Sequence, residues 1–234
     1  MSNLDIQKRM LKTVADALGE SLLQRVAFVG GCTTGLLVTD ELAQSELRYT
    51  ADVDRLVQIV GYAQWHQLQS QLRQRGFSDV MDHQAPICAL ALGSLRVDFM
   101  PDDERLLGFC NRWYKQAYEA AQLYELDPTT HIRLVTPIYF LATKLEAYKG
   151  RGAGDPLTSQ DIEDVLILLD GRRTLTHEVT GAPALLKRYF AESFRVLLGT
   201  SSMGHAIEAI SQGDAGRESR LYKTIHSIIE IGEQ

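Results

Sequence analysis

Apolar positions recur along the chain in two rhythms, one of three to four residues and one of two. Leu11, Val14, Ala15 and Leu18 follow the first and predict a helix from Asn3 to Leu18 that ends near Gly19. Arg25 to Val29 is a short apolar run expected as a strand, and it leads straight into Gly30-Gly31. Cys32 to Val38 is expected to open a helix, and the polar, acidic stretch Thr39 to Tyr49 to form a loop. Ala51 to Val60, rich in Val, Leu and Ile, is the next predicted strand. Trp65, Leu68 and Leu72 then mark one side of a helix from Ala63 to Arg75, stopped by Gly76. Ile87–Leu92 and Leu95–Met100 predict a hairpin, because Gly93-Ser94 suits a two-residue type II′ turn. In that register Arg96, Asp98 and Met100 share a face.

Beyond Pro101 the pattern becomes helical. Asn111 to Gln122 allows a helix, and Leu123–Leu126 with Ile132–Val135 allows a second hairpin around Asp127-Pro128. Thr136 suits an N-cap and Pro137 the first turn of a helix running to Lys149. A glycine-rich link over residues 150–154 follows. Thr158-Ser-Gln-Asp161 opens a helix with Ile162, Val165, Leu166 and Leu169 as its buried stripe. Further helices are expected within Ala182–Leu198, Met203–Ser211 and Glu218–Ile231. The expected class is α+β (α/β): a mixed-sheet core over residues 1–110, then a linker hairpin and a C-terminal helical domain over residues 111–234.

Composition changes this picture little. At 234 residues and 45% hydrophobic, the chain can bury a substantial core. No apolar stretch approaches the roughly 20 residues that span a bilayer, and the N-terminus lacks a signal-peptide layout. No membrane association and a cytoplasmic location are the expectation. Cys32, Cys88 and Cys110 are odd in number and widely spaced, which favours neither disulfides nor a zinc cluster. Cys32 is expected as a small buried thiol. A net charge of −6 argues against indiscriminate nucleic-acid binding, while leaving room for a local basic groove.

The chemistry concentrates at three acids. Asp52 and Asp54 lie two apart in a predicted strand and therefore point the same way, with Val53 behind them. Asp98, on another amphipathic strand, would add a third carboxylate to an oxygen site suited to a hard divalent cation. Such sites serve phosphoryl and nucleotidyl transfer. The strand, the glycine pair and the following helix start would offer backbone N–H groups to triphosphate oxygens.

Gly30-Gly31, then Asp52-Val-Asp54, then Asp98 resembles the polymerase-beta-type nucleotidyltransferase superfamily. The fuller series is similar to the AbiEii/AbiGii toxin-like nucleotidyltransferases. It comprises Phe28-Val-Gly-Gly-Cys-Thr-Thr-Gly-Leu-Leu, Thr50-Ala-Asp-Val-Asp, Tyr139-Phe-Leu-Ala-Thr-Lys144-Leu-Glu-Ala and Ser159-Gln-Asp161-Ile-Glu-Asp164. The resemblance covers roughly Ala27 to Arg173. It implies that Asp52 and Asp54 hold Mg²⁺ (or Mn²⁺) against an NTP and that Asp98 completes the metal site and helps deprotonate an acceptor hydroxyl. It also implies that Gly30, Gly31 and Thr33 border the nucleotide. Lys144 would contact its phosphates, with Asp161 or Asp164 orienting the lysine. The gap from Gly31 to Asp52 exceeds that of typical members, so the polar loop is implied to be an insertion.

The expected activity is transfer of an NMP from an NTP to a hydroxyl of an RNA end (tRNA included) or of a protein, as a toxin with a cognate antitoxin. A small-molecule acceptor of the aminoglycoside kind, a nucleotide-binding partner module with little turnover, and a metal-dependent phosphohydrolase are the competing readings. Arg217, Arg220, Lys223 and His226 form a candidate basic face for RNA, and Arg151 a candidate phosphate contact. Trp113-Tyr114 is expected to pack between the halves, with base stacking as the competing reading.

Overall fold

The computed structural model describes residues 2–50, 52–58, 61–81, 86–101 and 111–234. Ala51, Cys110 and the acidic run Asp102-Asp103-Glu104 lie outside them. The chain is α+β, with a seven-stranded mixed sheet and a helical C-terminal stretch. It divides into two compact units, residues 1–35 with 48–136, and residues 36–47 with 137–234.

The first unit begins with α1 (Asn3–Leu23), opened by a capping box between Ser2 and Asp5. Its buried stripe includes the predicted Leu11, Val14, Ala15 and Leu18. Gly19 does not end it but breaks it, at φ 60 and ψ 168, before helix resumes. The strands are β1 (Val26–Val29), β2 (Asp52–Val57), β3 (Ser78–Asp79), β4 (Ala89–Leu92), β5 (Leu95–Pro101), β6 (Gln122–Asp127) and β7 (Thr130–Leu134). Their order in the sheet is β3-β4-β5-β2-β1-β7-β6. β2 runs antiparallel to β1 and parallel to β5, at the centre of the sheet. The β4–β5 hairpin turns at Gly93 with φ 59, the positive value that the first position of a II′ turn demands.

The second hairpin, grouped with the helical half in the sequence reading, instead extends the sheet. β7 lies beside β1, with Phe28 opposite Leu134, and so belongs to the first unit. Helix α4 (Gly61–Gln74) buries Trp65, Leu68 and Leu72 as expected.

The second unit carries α6 (Pro137–Gly150), α7 (Gln160–Gly171), α8 (Leu175–Thr180), α9 (Ala184–Leu198), α10 (Ser201–Ser211) and α11 (Ala215–Glu233); α5 (Tyr114–Glu119) belongs to the first unit, and α2 (Thr34–Leu37) spans the junction of the two. Ser159 caps α7 by accepting from Ile162 N–H. Thr136 does not act likewise, for its buried hydroxyl has no hydrogen-bond partner among the described residues.

The polar stretch after the glycine turn is not a bare loop. Asp40 accepts from the N–H groups of Leu42 and Ala43 and so starts α3 (Glu41–Ser45). This stretch packs within the helical unit. The N–H groups of Thr39 and Asp40 both donate to the Gly171 carbonyl, at 2.9 and 3.0 Å. A Cβ on Gly171 would lie 2.4 Å from Val38 Cγ1, so only glycine allows that approach. Arg217, offered as part of a basic RNA-facing surface, is buried and tied to Glu46 and Asp170 at 2.7 Å each. Arg220, Lys223 and His226 remain exposed. Trp113 is buried, in keeping with a packing role.

Among the described residues, no helix is long and apolar enough to cross a membrane.

Candidate metal centre

Strand register builds the site. Asp54 pairs with Asp98 across the parallel β2–β5 ladder, and Asp52 pairs with Arg96 one repeat away. Adjacent strands lie about 4.8 Å apart and side chains alternate faces, so these four project from one side as a small grid. Small residues and the turn flank the grid. Ala89 and Ala91 of β4 stand beside Asp98 and Arg96, and Val29 of β1 beside Asp54. One carboxylate oxygen from each of Asp52, Asp54 and Asp98 lies within 4.8 Å of the other two. Asp52 and Asp54 are half-buried and Asp98 is buried.

The local sequence explains the convergence. Along β2 the first positions alternate half-buried and buried, with Val53 and Arg55 facing the core. Thr50 Oγ1 donates to Asp52 Oδ1 at 2.8 Å and orients that carboxylate. Gly30 adopts φ 84, and a Cβ there would meet Asp54 Oδ2 at 2.0 Å. The turn therefore sits directly on the carboxylate. Gly31–Thr33 forms a single 3₁₀ turn, and Thr33 is fully buried with its hydroxyl donating back to the Gly30 carbonyl at 2.8 Å. That hydroxyl is thus engaged within the turn, and the Gly30 and Gly31 positions are themselves buried.

Two arginines complete the electrostatics. Arg96 Nε and Nη2 donate to Asp98 Oδ1 and Oδ2 at 2.9 and 2.7 Å, a bidentate pair. The pairing with Asp98 holds the Arg96 guanidinium above its ordinary pKa. Arg55 lies on the opposite face of β2 and is fully buried. Its register partners are Phe28 and Phe99, and its guanidinium carbon sits 5.4 and 4.5 Å from their ring centres. Nη2 donates to the Val53 carbonyl, while Nε and Nη1 have no hydrogen-bond partner among the described residues. Burial pushes Arg55 down to about 9, and Asp54, Cys32 and Asp98 hold it up. It stays charged at neutral pH, a fixed countercharge beneath the carboxylates. Arg55 stands outside the residues singled out from the sequence. The signal was present: a cation on the core-facing side of an alternating strand must have anionic or aromatic company.

Burial disfavours the thiolate at both cysteines near the site. Burial raises Cys32 far above its ordinary value and pushes Cys88 up to about 12.

The donor set fits a hard divalent cation: three carboxylate oxygens, no sulfur or imidazole, and a spread that one or two ions can bridge. Both oxygens of Asp98 accept from Arg96, so a cation binding there would share or contest at least one of them.

Lys144, Asp161 and Asp164 form a second constellation, within the helical unit. Lys144 on α6 reaches Asp161 at 3.2 Å and Asp164 at 2.7 Å, both on α7. Spacing of three residues places the two acids on one face of α7, so both orient the lysine, where the sequence reading offered them as alternatives. All three are buried, and the exposed Arg151 of the glycine-rich link also pairs with Asp161. The two lysine-bound carboxylates already balance the two cations of this cluster.

Comparison with family models and with curated proteins finds no match for the chain.

Proposed function

We propose that the protein is a divalent-cation-dependent nucleotidyltransferase that moves an NMP group from an NTP to a hydroxyl acceptor, on a core like that of the polymerase-beta superfamily. The observation that carries this reading is the convergence of Asp52, Asp54 and Asp98 within 4.8 Å beside the Gly30 turn. Mg²⁺ or Mn²⁺ held by these three would neutralise phosphate charge and ease deprotonation of the acceptor hydroxyl. Asp52 and Asp54 are the half-buried ligands open to substrate, and Asp98 is the buried one that fixes the set. Arg55, on the opposite face of β2, places a positive charge beneath the three carboxylates without blocking the face they present. Lys144, steadied by Asp161 and Asp164, is the proposed phosphate contact of the helical unit, and the AbiEii/AbiGii-like motif series supports that role.

The acceptor in this proposal is an RNA end or a protein hydroxyl, with a toxin partnered by an antitoxin as the biological setting. The test incubates the chain with each labelled NTP, Mg²⁺ and total cell lysate. Label should enter a macromolecule with wild type and not with Asp54→Asn. Transfer by Asp54→Asn at the wild-type rate would remove the reading. A steep loss of transfer with added salt would point to RNA, and a flat response to a small acceptor.

One observation favours a second reading, a nucleotide-binding module with little turnover: the bidentate Arg96–Asp98 pair occupies both oxygens of one ligand. Calorimetric NTP binding without label transfer to any lysate component would support it over the first.

A further inference from the structure

Arg96 already donates to both oxygens of Asp98, and a cation at the carboxylate group would draw on at least one of them. Asp98 is the most enclosed ligand, its side chain only 8% exposed, and both its oxygens accept from Arg96. Arg96 differs from its partner in being 43% exposed, so its guanidinium can rotate into solvent while Asp98 cannot follow. The two stand two residues apart on one face of β5, and the pair therefore forms without any movement of the sheet.

Charge gives the exchange a direction. The three carboxylates can be balanced by one divalent cation together with the buried Arg55. Arg96 is then surplus and carries an uncompensated positive charge at the rim of the site. A guanidinium fork matches two phosphate oxygens as well as it matches a carboxylate.

We infer that Arg96 is a built-in substitute for the cation: it holds Asp98 in the metal-free chain, leaves when the ion binds, and then grips the nucleotide's phosphates. This rests on the carboxylate reading above. It predicts ordered binding, cation first and triphosphate second, because triphosphate finds its arginine only after the ion has released it.

The test uses Mn²⁺ alone, titrated by calorimetry into the full chain, and then inorganic tripolyphosphate added at saturating Mn²⁺. Arg96→Gln should bind Mn²⁺ about tenfold more tightly than wild type, since a charge-assisted bidentate competitor is gone. The same variant should bind tripolyphosphate at least about tenfold more weakly. Arg96→Lys, which keeps the charge and loses the fork, should fall between wild type and Arg96→Gln in both titrations, and unchanged circular dichroism would establish that the fold is kept. Equal or weaker Mn²⁺ binding by Arg96→Gln overturns the inference, and the carboxylate reading survives if Asp54→Asn still abolishes the wild-type signal. Unaltered tripolyphosphate affinity in Arg96→Gln also overturns it. Absence of Mn²⁺ binding in wild type and Arg96→Gln alike removes both.

Discussion

Gly30 and Asp54 touch so closely that a side chain on the first would overlap the second: an ideal Cβ lies 2.0 Å from Oδ2 and 2.8 Å from Cγ. Gly30→Ala combines this overlap with a backbone at φ 84. The backbone strain alone should cost at least about 1 kcal/mol. Asp54 must also rotate away, and cation affinity should fall by about 10–100-fold, as when a ligand loses its orienting neighbour. Urea midpoints and Mn²⁺ titration check the two effects separately. A variant with wild-type Mn²⁺ affinity would show that the turn does not position the carboxylate.

Lys144 offers a stability test that separates structure from chemistry. Lys144→Met removes the cation that the two buried acids share, leaving Asp161 its pair with the exposed Arg151, and should cost about 3–5 kcal/mol. Adding Asp161→Asn and Asp164→Asn should restore most of that loss, read from denaturant midpoints. If the restored triple variant transfers NMP at the wild-type rate, the buried cluster is scaffolding, and the phosphate role for the lysine is lost.

The β6–β7 turn predicts an acid-sensitive component of stability. Asp127 accepts from the Thr129 N–H and hydroxyl, at 2.8 and 2.7 Å, and pairs with Lys12. The Thr129 hydrogen bonds hold its carboxyl well below the ordinary 3.8. Below 3.8 the unfolded chain takes up a proton that the folded chain refuses, so stability in that window rises with pH. The contribution is complete above about pH 4–5 and is lost as pH falls toward the folded value. Asp127→Asn should flatten the fall in urea midpoint between pH 4 and pH 2. An identical acid profile for variant and wild type would exclude the turn as its source.

Much of this was legible in the sequence because it depends on local repeats. The alternation through Asp52-Val53-Asp54 announces two carboxylates on one face, and Gly93-Ser94 announces the hairpin that carries Asp98. What could not be read was register between distant strands. Nothing local states that Asp54 lies opposite Asp98 rather than one residue away, and a slip of one would turn the side chain to the other face. The same gap hid Arg55, whose aromatic partners come from β1 and β5, and Arg217, whose partners Glu46 and Asp170 lie far away in sequence. The second hairpin was recognised as a linker, but its place in the sheet was not. Its own turn signals were clear, while its pairing with β1 is a tertiary choice. Helix α3 was missed because a single cap, Asp40, outweighs a polar stretch with weak periodicity.

The helical unit borrows residues 36–47 from the interval between β1 and β2, where Arg172 donates to the Leu37 carbonyl and Arg217 clasps Glu46. No single peptide cleavage can therefore separate the chain into two self-sufficient pieces. A fragment ending at Thr136 would strand Leu36, Leu37, Val38, Ala43 and Leu47 without their apolar neighbours, and would be expected to aggregate. A circular permutation that opens the chain within residues 36–47 would cut that borrowed segment and should weaken the helical unit.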